Sequence, residues 1–261
     1  MAFSRYAAVP AVDFVSAFAT LAAELGTALE SCDVGARVPA CPRWSTYDLV
    51  VHLGNVHAWA ATIVETGKST PSQNDEPRSH RPRDLSEWYV GKAGDLLAVL
   101  RDADPHAECW TLSPADRTKG FWQRRQAHET LVHLVDLHQA SGSTTDVPAR
   151  LAADGVAEVL EVFLPRMHAR GRHADLTAPL LLSTTDTDDT WLVTPGGPGA
   201  PPESRPVGGS DLVDRGTDLV TATAADLMLL LWKRVSPDQA GVTLDGDRGR
   251  LLRFLESPLT P

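Results

Sequence analysis

The sequence predicts an α+β protein, with an antiparallel four-helix bundle in residues 1–148 and a small α/β domain in residues 149–261. Two observations carry this prediction. Apolar side chains recur at helical spacing through the first 140 residues. After Pro148, by contrast, short segments rich in β-branched residues alternate with turn signals. At 261 residues the chain is long enough to bury the cores of two such domains.

The first two helices are indicated by apolar spacing and by capping residues. The apolar stripe of the first helix consists of Val15, Phe18, Ala22, Leu25 and Leu29. The second helix begins at Ser45 or Thr46, either of which can cap its N-terminus, and Asp48 suits the positive end of the helix dipole. Gly67 ends this helix, because glycine readily adopts the left-handed conformation of a C-cap.

A polar, proline-bearing loop in residues 68–83 separates the second helix from the third. Loops of this length are usually functional or disordered, and we expect this one to influence substrate choice. A third helix is predicted from about Leu85 to Arg101. A fourth begins near residues 118–121 and ends before the turn-forming segment 141–146. Four helices of this length predict an antiparallel bundle.

The second domain is predicted to begin with a helix from about Leu151 to Met167. Two strands follow, within residues 176–186 and 190–196, where β-branched residues lie between turn signals. The Gly/Pro-rich segment 194–209 cannot hold a helix and is predicted to be a loop. Residues 218–234 then read as a strand entering a helix that Thr223 can cap.

Composition and charge exclude several classes of function. A net charge of −10 argues against binding to nucleic-acid phosphates, which requires clustered Lys and Arg. The longest strongly apolar run, residues 227–232, is far shorter than the roughly 20 residues of a membrane span. The N-terminus shows helical rather than signal-peptide organisation. We therefore expect a cytoplasmic monomer or homodimer without nucleic-acid or membrane partners.

Cysteine usage does not suggest a sulfur-based site. Cys32, Cys41 and Cys109 lie far apart and have no CxxC spacing. This pattern predicts neither a disulfide framework nor a sulfur-rich zinc site, and each thiol is interpreted as an isolated side chain.

The segment 124-RRQAHETLVHLVDLHQ-139 concentrates ionisable side chains in the fourth helix. Residues four apart share one face of a helix, so Glu129 and His133 point the same way, whereas His128 and His133 do not. The segment is therefore not the HExxH motif of metallopeptidases. Glu129 and His133 can form a metal-binding pair, with Asp136 accepting a hydrogen bond from an imidazole. The alternative is a solvated helix face opposite Ala127 and the other apolar residues of this helix.

His52 is the best candidate for a third ligand. It lies in the second helix among Leu49, Leu53 and Val56, so it should be partly buried. A histidine placed against an apolar face needs a hydrogen-bond partner or a metal. Asp48, one turn earlier, could orient it. The alternative is an ordinary core histidine whose hydrogen bonds are satisfied.

Three segments together carry a family resemblance. They are CPRWSTYDLVVHLGNVHAW (41–59), FWQRRQAHETLVHLVDLH (121–138) and TATAADLMLLLWKR (221–234). The chain resembles the mycothiol-dependent maleylpyruvate isomerase family, part of the DinB-like metal-binding bundle superfamily, over nearly its whole length. The resemblance implies a divalent metal, usually zinc, held by His52, Glu129 and His133.

The chemistry expected of this site follows from its ligands. Two imidazoles and one carboxylate leave zinc an open coordination position, which is typical of catalytic sites. A thiol bound there would be held as its nucleophilic thiolate. The resemblance implies that this thiol is mycothiol, acting in an isomerase or an S-transferase on a small electrophile.

Arginine residues are the expected partners of an anionic electrophile. Arg234 could clamp a carboxylate of the substrate, and the alternative is that it caps its own helix. Arg124 and Arg125 are expected to be solvated, at the border of the site at most.

Two other classes of function stay open at the level of sequence. The first is a metal-dependent hydrolase that uses a metal-bound hydroxide, and the second is a non-catalytic protein that binds a metal or a ligand. The ligand set does not distinguish zinc from nickel, iron or manganese, because all of them accept nitrogen and oxygen ligands.

Overall fold

The computed structural model describes residues 12–72, 74–208 and 217–261. The N-terminal segment, for which the sequence predicted no signal peptide, lies mostly outside the described residues. The last residue of segment 194–209 also lies outside them. Four long helices come first, namely α1 (Phe14–Leu29), α2 (Thr46–Thr66), α3 (Pro82–Asp102) and α4 (Lys119–Ala140). Helices α1 and α2 each contact both α3 and α4.

The local signals of α2 are confirmed. Ser45 is the N-cap and forms a capping box with Asp48, in which each residue's side chain accepts a hydrogen bond from the other's backbone N–H. Gly67 ends the helix with φ of 71°, a left-handed conformation that glycine adopts without steric cost. Helix α3 begins at Pro82, three residues earlier than predicted, because proline at the first helical position has a suitable φ and needs no N–H partner.

Helix α4 is buried around most of its circumference. His133 is 6% exposed and Asp136 is fully buried. Apolar residues on other sides of the helix, such as Leu131, are also buried. The alternative of a solvated face at these positions is therefore wrong. The polar side chains of α4 lie inside the protein and need internal partners.

The helix predicted from Leu151 to Met167 is a longer helical run with an irregularity in its middle. Helix α5 (Ala149–Glu158) leads into a π-helical turn (Val159–Phe163) and then α6 (Leu164–Ala169). Pro165 explains the irregularity, because it has no N–H to donate to the carbonyl four residues earlier. Single π turns inside α-helices occur often at functional sites.

A five-stranded sheet forms the second layer of the molecule. Its strands are β1 (Leu180–Thr184), β2 (Thr190–Thr194), β3 (Glu203–Pro206), β4 (Asp218–Ala222) and β5 (Thr243–Asp245). Their order is β3-β2-β1-β4-β5, with β1 and β4 parallel and the other pairs antiparallel. Helix α7 (Ala224–Leu231) contacts β1 and β4 and also packs against α5, and α8 (Arg248–Glu256) contacts β4 and β5.

The predictions for the second half are confirmed in part. β1, β2 and the transition from β4 into α7 lie where expected, and Thr223 caps α7 by accepting from the N–H of Asp226. The segment predicted to be only a loop contains β3, an edge strand that tolerates Pro206 at its end. β5 and α8 were not predicted, and β5 is only three residues long, too short to show strand periodicity.

The mixed helical and sheet class is confirmed. Several helices precede a five-stranded sheet with its own helices. Across the described parts of the chain, no helix combines the length and apolar character needed to cross a membrane.

Candidate metal centre and its cavity

The structure brings the three predicted ligands together between α2 and α4. One donor atom from each of His52, Glu129 and His133 lies within 4.8 Å of the others. The Nε2 atoms of His52 and His133 are 3.6 Å and 3.4 Å from Oε1 of Glu129. Donors about 2.0–2.2 Å from a tetrahedral zinc ion are separated by about 3.3–3.6 Å, so these residues fit such a cation.

Asp136 fixes the orientation of His133. Nδ1 of His133 lies 2.9 Å from Oδ2 of Asp136, which leaves Nε2 directed toward the other ligands. Burial acts to lower the pKa of His133, but the hydrogen bonds with Asp136 and Glu129 outweigh it and raise the pKa to about 9. The negative charges responsible also favour a metal cation at Nε2.

Arg125 holds the second oxygen of Glu129. Its Nη2 donates to Oε2 of Glu129 at 2.7 Å, and its Nη1 contacts the buried carboxylate of Glu158. Burial acts to raise the pKa of Glu129, but Arg125 and the two histidines hold it well below its usual value. Glu129 is therefore ionised at neutral pH. The expectation that Arg125 is solvated is wrong, since this residue is 2% exposed.

Arg234 reaches α4 from the second half of the chain. Its Nε and Nη2 donate to the two oxygens of Asp136 at 2.9 Å and 2.8 Å, and its Nη1 donates to the carbonyl of Trp232 at 2.8 Å. The pKa of Asp136 is lowered, because its hydrogen bonds with His133 and Arg234 outweigh the opposing effect of burial. Arg234 thus donates a hydrogen bond to a carbonyl at the C-terminal end of its own helix, and it also lines the cavity.

His52 is held by packing rather than by Asp48. Its side chain is 38% exposed, and the ring of Trp44 lies 4.8 Å from it, centroid to centroid. The expectation that Asp48 orients His52 is wrong, because that carboxylate accepts hydrogen bonds from the backbone N–H and hydroxyl of Ser45. Partial exposure gives His52 access to the cavity beside the metal centre.

A cavity of about 960 Å³ opens at the three ligands. One part of its wall is aromatic and includes Trp59 and Trp122, whose ring centroids are 5.3 Å apart in an edge-to-face arrangement. Both indole N–H groups donate to backbone carbonyls, those of Thr70 and Trp110. Their rings therefore present mainly apolar surface to a bound molecule.

The remaining wall of the cavity is strongly cationic. Its arginine and lysine residues are Arg43, Arg125, Arg166, Arg170, Arg172, Lys233 and Arg234. The ionisable acids on the same wall are Glu129 and Glu256. In a chain of net charge −10, this local excess of positive charge suits an anionic ligand.

Several residues that border the cavity were not identified from sequence. Arg166, Arg170 and Arg172 follow the π turn, and no motif marked them as part of the site. Cys41, interpreted as an isolated thiol, also lines the cavity, and burial raises its pKa. Arg124 is ion-paired with Asp154 and Glu161 instead of being solvated.

The long loop after α2 borders a second, smaller cavity. Its volume is about 540 Å³, and residues 72 and 74–76 contribute to its wall. It shares Trp44, His52 and Trp59 with the larger cavity. The loop therefore lies near the candidate metal centre, as its predicted influence on substrate choice requires.

Family models match both halves of the chain. Residues 15–138 match the family model described as the mycothiol maleylpyruvate isomerase N-terminal domain, and residues 150–253 match the MDMPI C-terminal domain. No curated protein matches the chain.

Two crystal structures share the fold of this chain. One is of the mycothiol-dependent maleylpyruvate isomerase, with a TM-score of 0.59 and 15% identity. The other is of a histidine-to-alanine mutant of that enzyme, with a TM-score of 0.60 and 14% identity. Each alignment covers 92% of this chain and 96% of the other. With both halves matched by the family models, the chain belongs to the mycothiol-dependent maleylpyruvate isomerase family, a family of enzymes.

Proposed function

We propose that the protein is a metal-dependent enzyme that activates mycothiol for attack on a small electrophile. The reaction is either S-transfer or a cis–trans isomerisation of the maleylpyruvate type. The observation that carries the proposal is the convergence of His52, Glu129 and His133 at a cavity, in a chain of this family. We propose zinc as the metal, because two imidazoles and one carboxylate form a common catalytic zinc site.

The residues around the site prepare it for a thiol. A divalent cation bound there stabilises the thiolate form of mycothiol, which is nucleophilic at neutral pH. Asp136 keeps Nε2 of His133 directed into the site, and Arg125 keeps Glu129 ionised. The rings of Trp44, Trp59 and Trp122 form part of the cavity wall and give it apolar surface.

The cationic wall supports an anionic electrophile. Arg234 is proposed to bind this electrophile. Asp136 and Trp232 use three of the five N–H groups of the guanidinium. The other two are available to a carboxylate in the cavity that Arg234 lines. Arg166, Arg170 and Arg172 add positive charge to the same wall.

Isomerisation and S-transfer share their first step. The thiolate adds to an electrophilic carbon and forms a C–S bond, with the electron pair of the attacked double bond moving onto the substrate. In an isomerisation the former double bond rotates, the C–S bond breaks and mycothiol is returned. In an S-transfer the C–S bond stays and a proton completes the product.

Metal content tests the proposed centre. We expect about one metal ion per chain in the wild type and loss of that metal in His52→Ala, Glu129→Ala and His133→Ala, measured by elemental mass spectrometry. His138→Ala is the matched control, because His138 lies on the same helix and contacts Thr145 instead of the ligands. Absence of metal from the wild type after reconstitution with zinc would refute the proposed mechanism.

Turnover with and without thiol tests the chemistry. We expect consumption of anionic electrophiles only when both mycothiol and metal are present, and loss of turnover after dialysis against a chelator. Turnover of esters or amides in thiol-free buffer would instead establish the hydrolase alternative. Metal binding without turnover of any electrophile would favour a non-catalytic protein.

A further inference from the structure

Arg125 occupies an unusual position for a charged residue. It is 2% exposed, and its guanidinium carbon lies 5.0 Å and 5.5 Å from the ring centroids of Phe163 and Trp232. Both terminal nitrogens are engaged by carboxylates, Nη1 by Glu158 and Nη2 by Glu129. The guanidinium is therefore fixed by two ion pairs and by contact with two aromatic rings.

The two oxygens of Glu129 have different surroundings. Oε1 faces the Nε2 atoms of His52 and His133, at 3.6 Å and 3.4 Å. Oε2 accepts the hydrogen bond from Arg125 at 2.7 Å. Because Arg125 occupies one lone pair of Oε2, Oε1 is the oxygen better placed to meet a cation beside the two imidazoles.

Apart from Glu129, the partners of Arg125 come from the second half of the chain. Glu158 is the last residue of α5, and Phe163 ends the π turn that follows it. Glu158 is 1% exposed, and its Oε1 has no hydrogen-bond partner among the described residues. A buried carboxylate that is hydrogen-bonded through one oxygen only is a poor source of stability, so stability alone does not explain its place beside Arg125.

We infer that Arg125 is a positioning residue that keeps Glu129 a one-oxygen ligand, and that Glu158 holds Arg125 in place. This inference rests on the metal-dependent function proposed above. By restricting Glu129 to one oxygen, Arg125 preserves the open coordination position that a thiol requires.

Arg125 is poorly suited to the alternative role of binding substrate. It borders the cavity, but its single positive charge lies between the two carboxylates of Glu129 and Glu158. Both terminal nitrogens of its guanidinium are engaged by these carboxylates, which leaves Arg125 less able than Arg234 to clamp a carboxylate of the substrate. Arg234, by comparison, is paired with one carboxylate, that of Asp136.

The test measures metal affinity in Arg125→Lys, with Arg124→Lys as the matched control. Arg124 is the preceding residue and also forms ion pairs, but its hydrogen bonds are to Asp154 and Glu161 and not to a candidate metal ligand. A lysine keeps the charge but lacks the two-pronged geometry needed to bridge two carboxylates. We expect zinc affinity, measured by competition with a chromophoric chelator, to fall about ten- to hundredfold in Arg125→Lys. We expect Arg124→Lys to match the wild type.

A second measurement separates positioning from a general structural role. Cobalt(II) is substituted for zinc, and its ligand-field spectrum reports the coordination number. We expect Arg125→Lys to shift this spectrum toward higher coordination, because Glu129 becomes able to bind through both oxygens. The metal-free melting temperatures of both lysine variants are recorded alongside. If Arg125→Lys does not fold, Arg125→Met combined with Glu158→Leu replaces it, since apolar residues often substitute for a buried ion pair without loss of stability.

The possible results distinguish the inference from the function on which it rests. Wild-type zinc affinity and an unchanged cobalt spectrum in the Arg125 variant would overturn the positioning role while leaving the proposed function intact. Failure of the wild type to bind metal would overturn both. The inference predicts that Arg125→Lys binds zinc more weakly and has an altered cobalt spectrum. It predicts that Arg124→Lys shows neither effect.

Discussion

At the scale of single residues, the candidate site is built from pairs of opposite charges. His133 is joined to Asp136 and Asp136 to Arg234, while Glu129 is joined to Arg125. Burial acts against the charges of His133, Asp136 and Glu129, and the interactions with their partners outweigh this effect on the pKa of each. Such outer partners commonly fix both the orientation and the basicity of metal ligands, so their removal should be visible as a loss of metal affinity.

Asp136→Asn should weaken metal binding about ten- to hundredfold, because His133 loses a charged partner and Arg234 loses its two-point contact. The measurement is zinc affinity by chelator competition. Asp154→Asn is a close control, since Asp154 also pairs with a histidine and an arginine, His128 and Arg124, outside the ligand set. Equal effects of the two substitutions would contradict the assigned role of Asp136.

His57 should make stability depend on pH. Burial lowers its pKa from 6.5 to about 4, despite the hydrogen bond with Gln126 that acts to raise it. Because the unfolded chain binds the proton more tightly, the stability contributed by neutral His57 is complete above pH 6.5 and is lost as the pH falls toward 4. The loss amounts to roughly 3 kcal/mol at most.

Urea unfolding of the wild type and of His57→Leu between pH 4 and pH 7.5 measures this contribution. We expect a shallower dependence of the unfolding free energy on pH in the variant. His138→Leu provides the control, because its histidine is partly exposed and hydrogen-bonded to Thr145. Parallel pH profiles for wild type and His57→Leu would contradict the prediction.

At the scale of elements, close packing between α2 and α3 depends on a glycine. A Cβ at Gly54 of α2 would lie 2.3 Å from the ring of Trp88 in α3, well inside contact distance. Gly91 of α3 has no heavy atom within 4 Å of the corresponding position. Packing therefore requires a glycine at position 54 and leaves room for a side chain at position 91, although both residues lie within helices.

Opposite effects on stability are expected from alanine at these two positions. Gly54→Ala should destabilise the protein by about 1–3 kcal/mol, because the ring of Trp88 must move. Gly91→Ala should stabilise it by about 0.5–1 kcal/mol, because alanine restricts the unfolded chain and fits the helix. Denaturant unfolding of the two variants measures both effects, and a shared sign would show that packing does not distinguish them.

At the scale of the whole molecule, both halves of the chain complete the site. The candidate metal ligands lie on α2 and α4, whereas Glu158, Trp232 and Arg234 come from the second half. The cavity lies where these parts meet, with aromatic residues and excess positive charge on its wall. A metal bound at this junction should stabilise the native protein as a whole, because it binds the folded chain selectively.

Chelation should lower the melting temperature of the metal-loaded wild type. At metal concentrations about a hundredfold above the dissociation constant, the stabilisation is about 2.7 kcal/mol, or roughly 5–10 °C for a chain of this size. Differential scanning calorimetry measures the shift. His52→Ala should melt at the same temperature with and without chelator, and a shift in that variant would indicate a metal bound elsewhere.

The sequence by itself determined the features that depend on local geometry. Helical spacing placed Glu129 and His133 on one face and His128 on another, and capping residues located the ends of α2. The place of His52 on an apolar helix face suggested it as the third ligand, and the family resemblance implied the same residue. Short elements such as β3 and β5 were missed, because three or four residues carry too little periodicity.

Only the tertiary structure decided what surrounds these ligands. Asp136 and Arg234 are 98 residues apart, and Arg125 and Glu158 are 33 apart, so neither pair belongs to a local pattern. The burial of α4 on several sides likewise depends on elements distant in sequence. Periodicity reports which residues share a face of a helix, whereas the partner facing them is set by the packing of the whole chain.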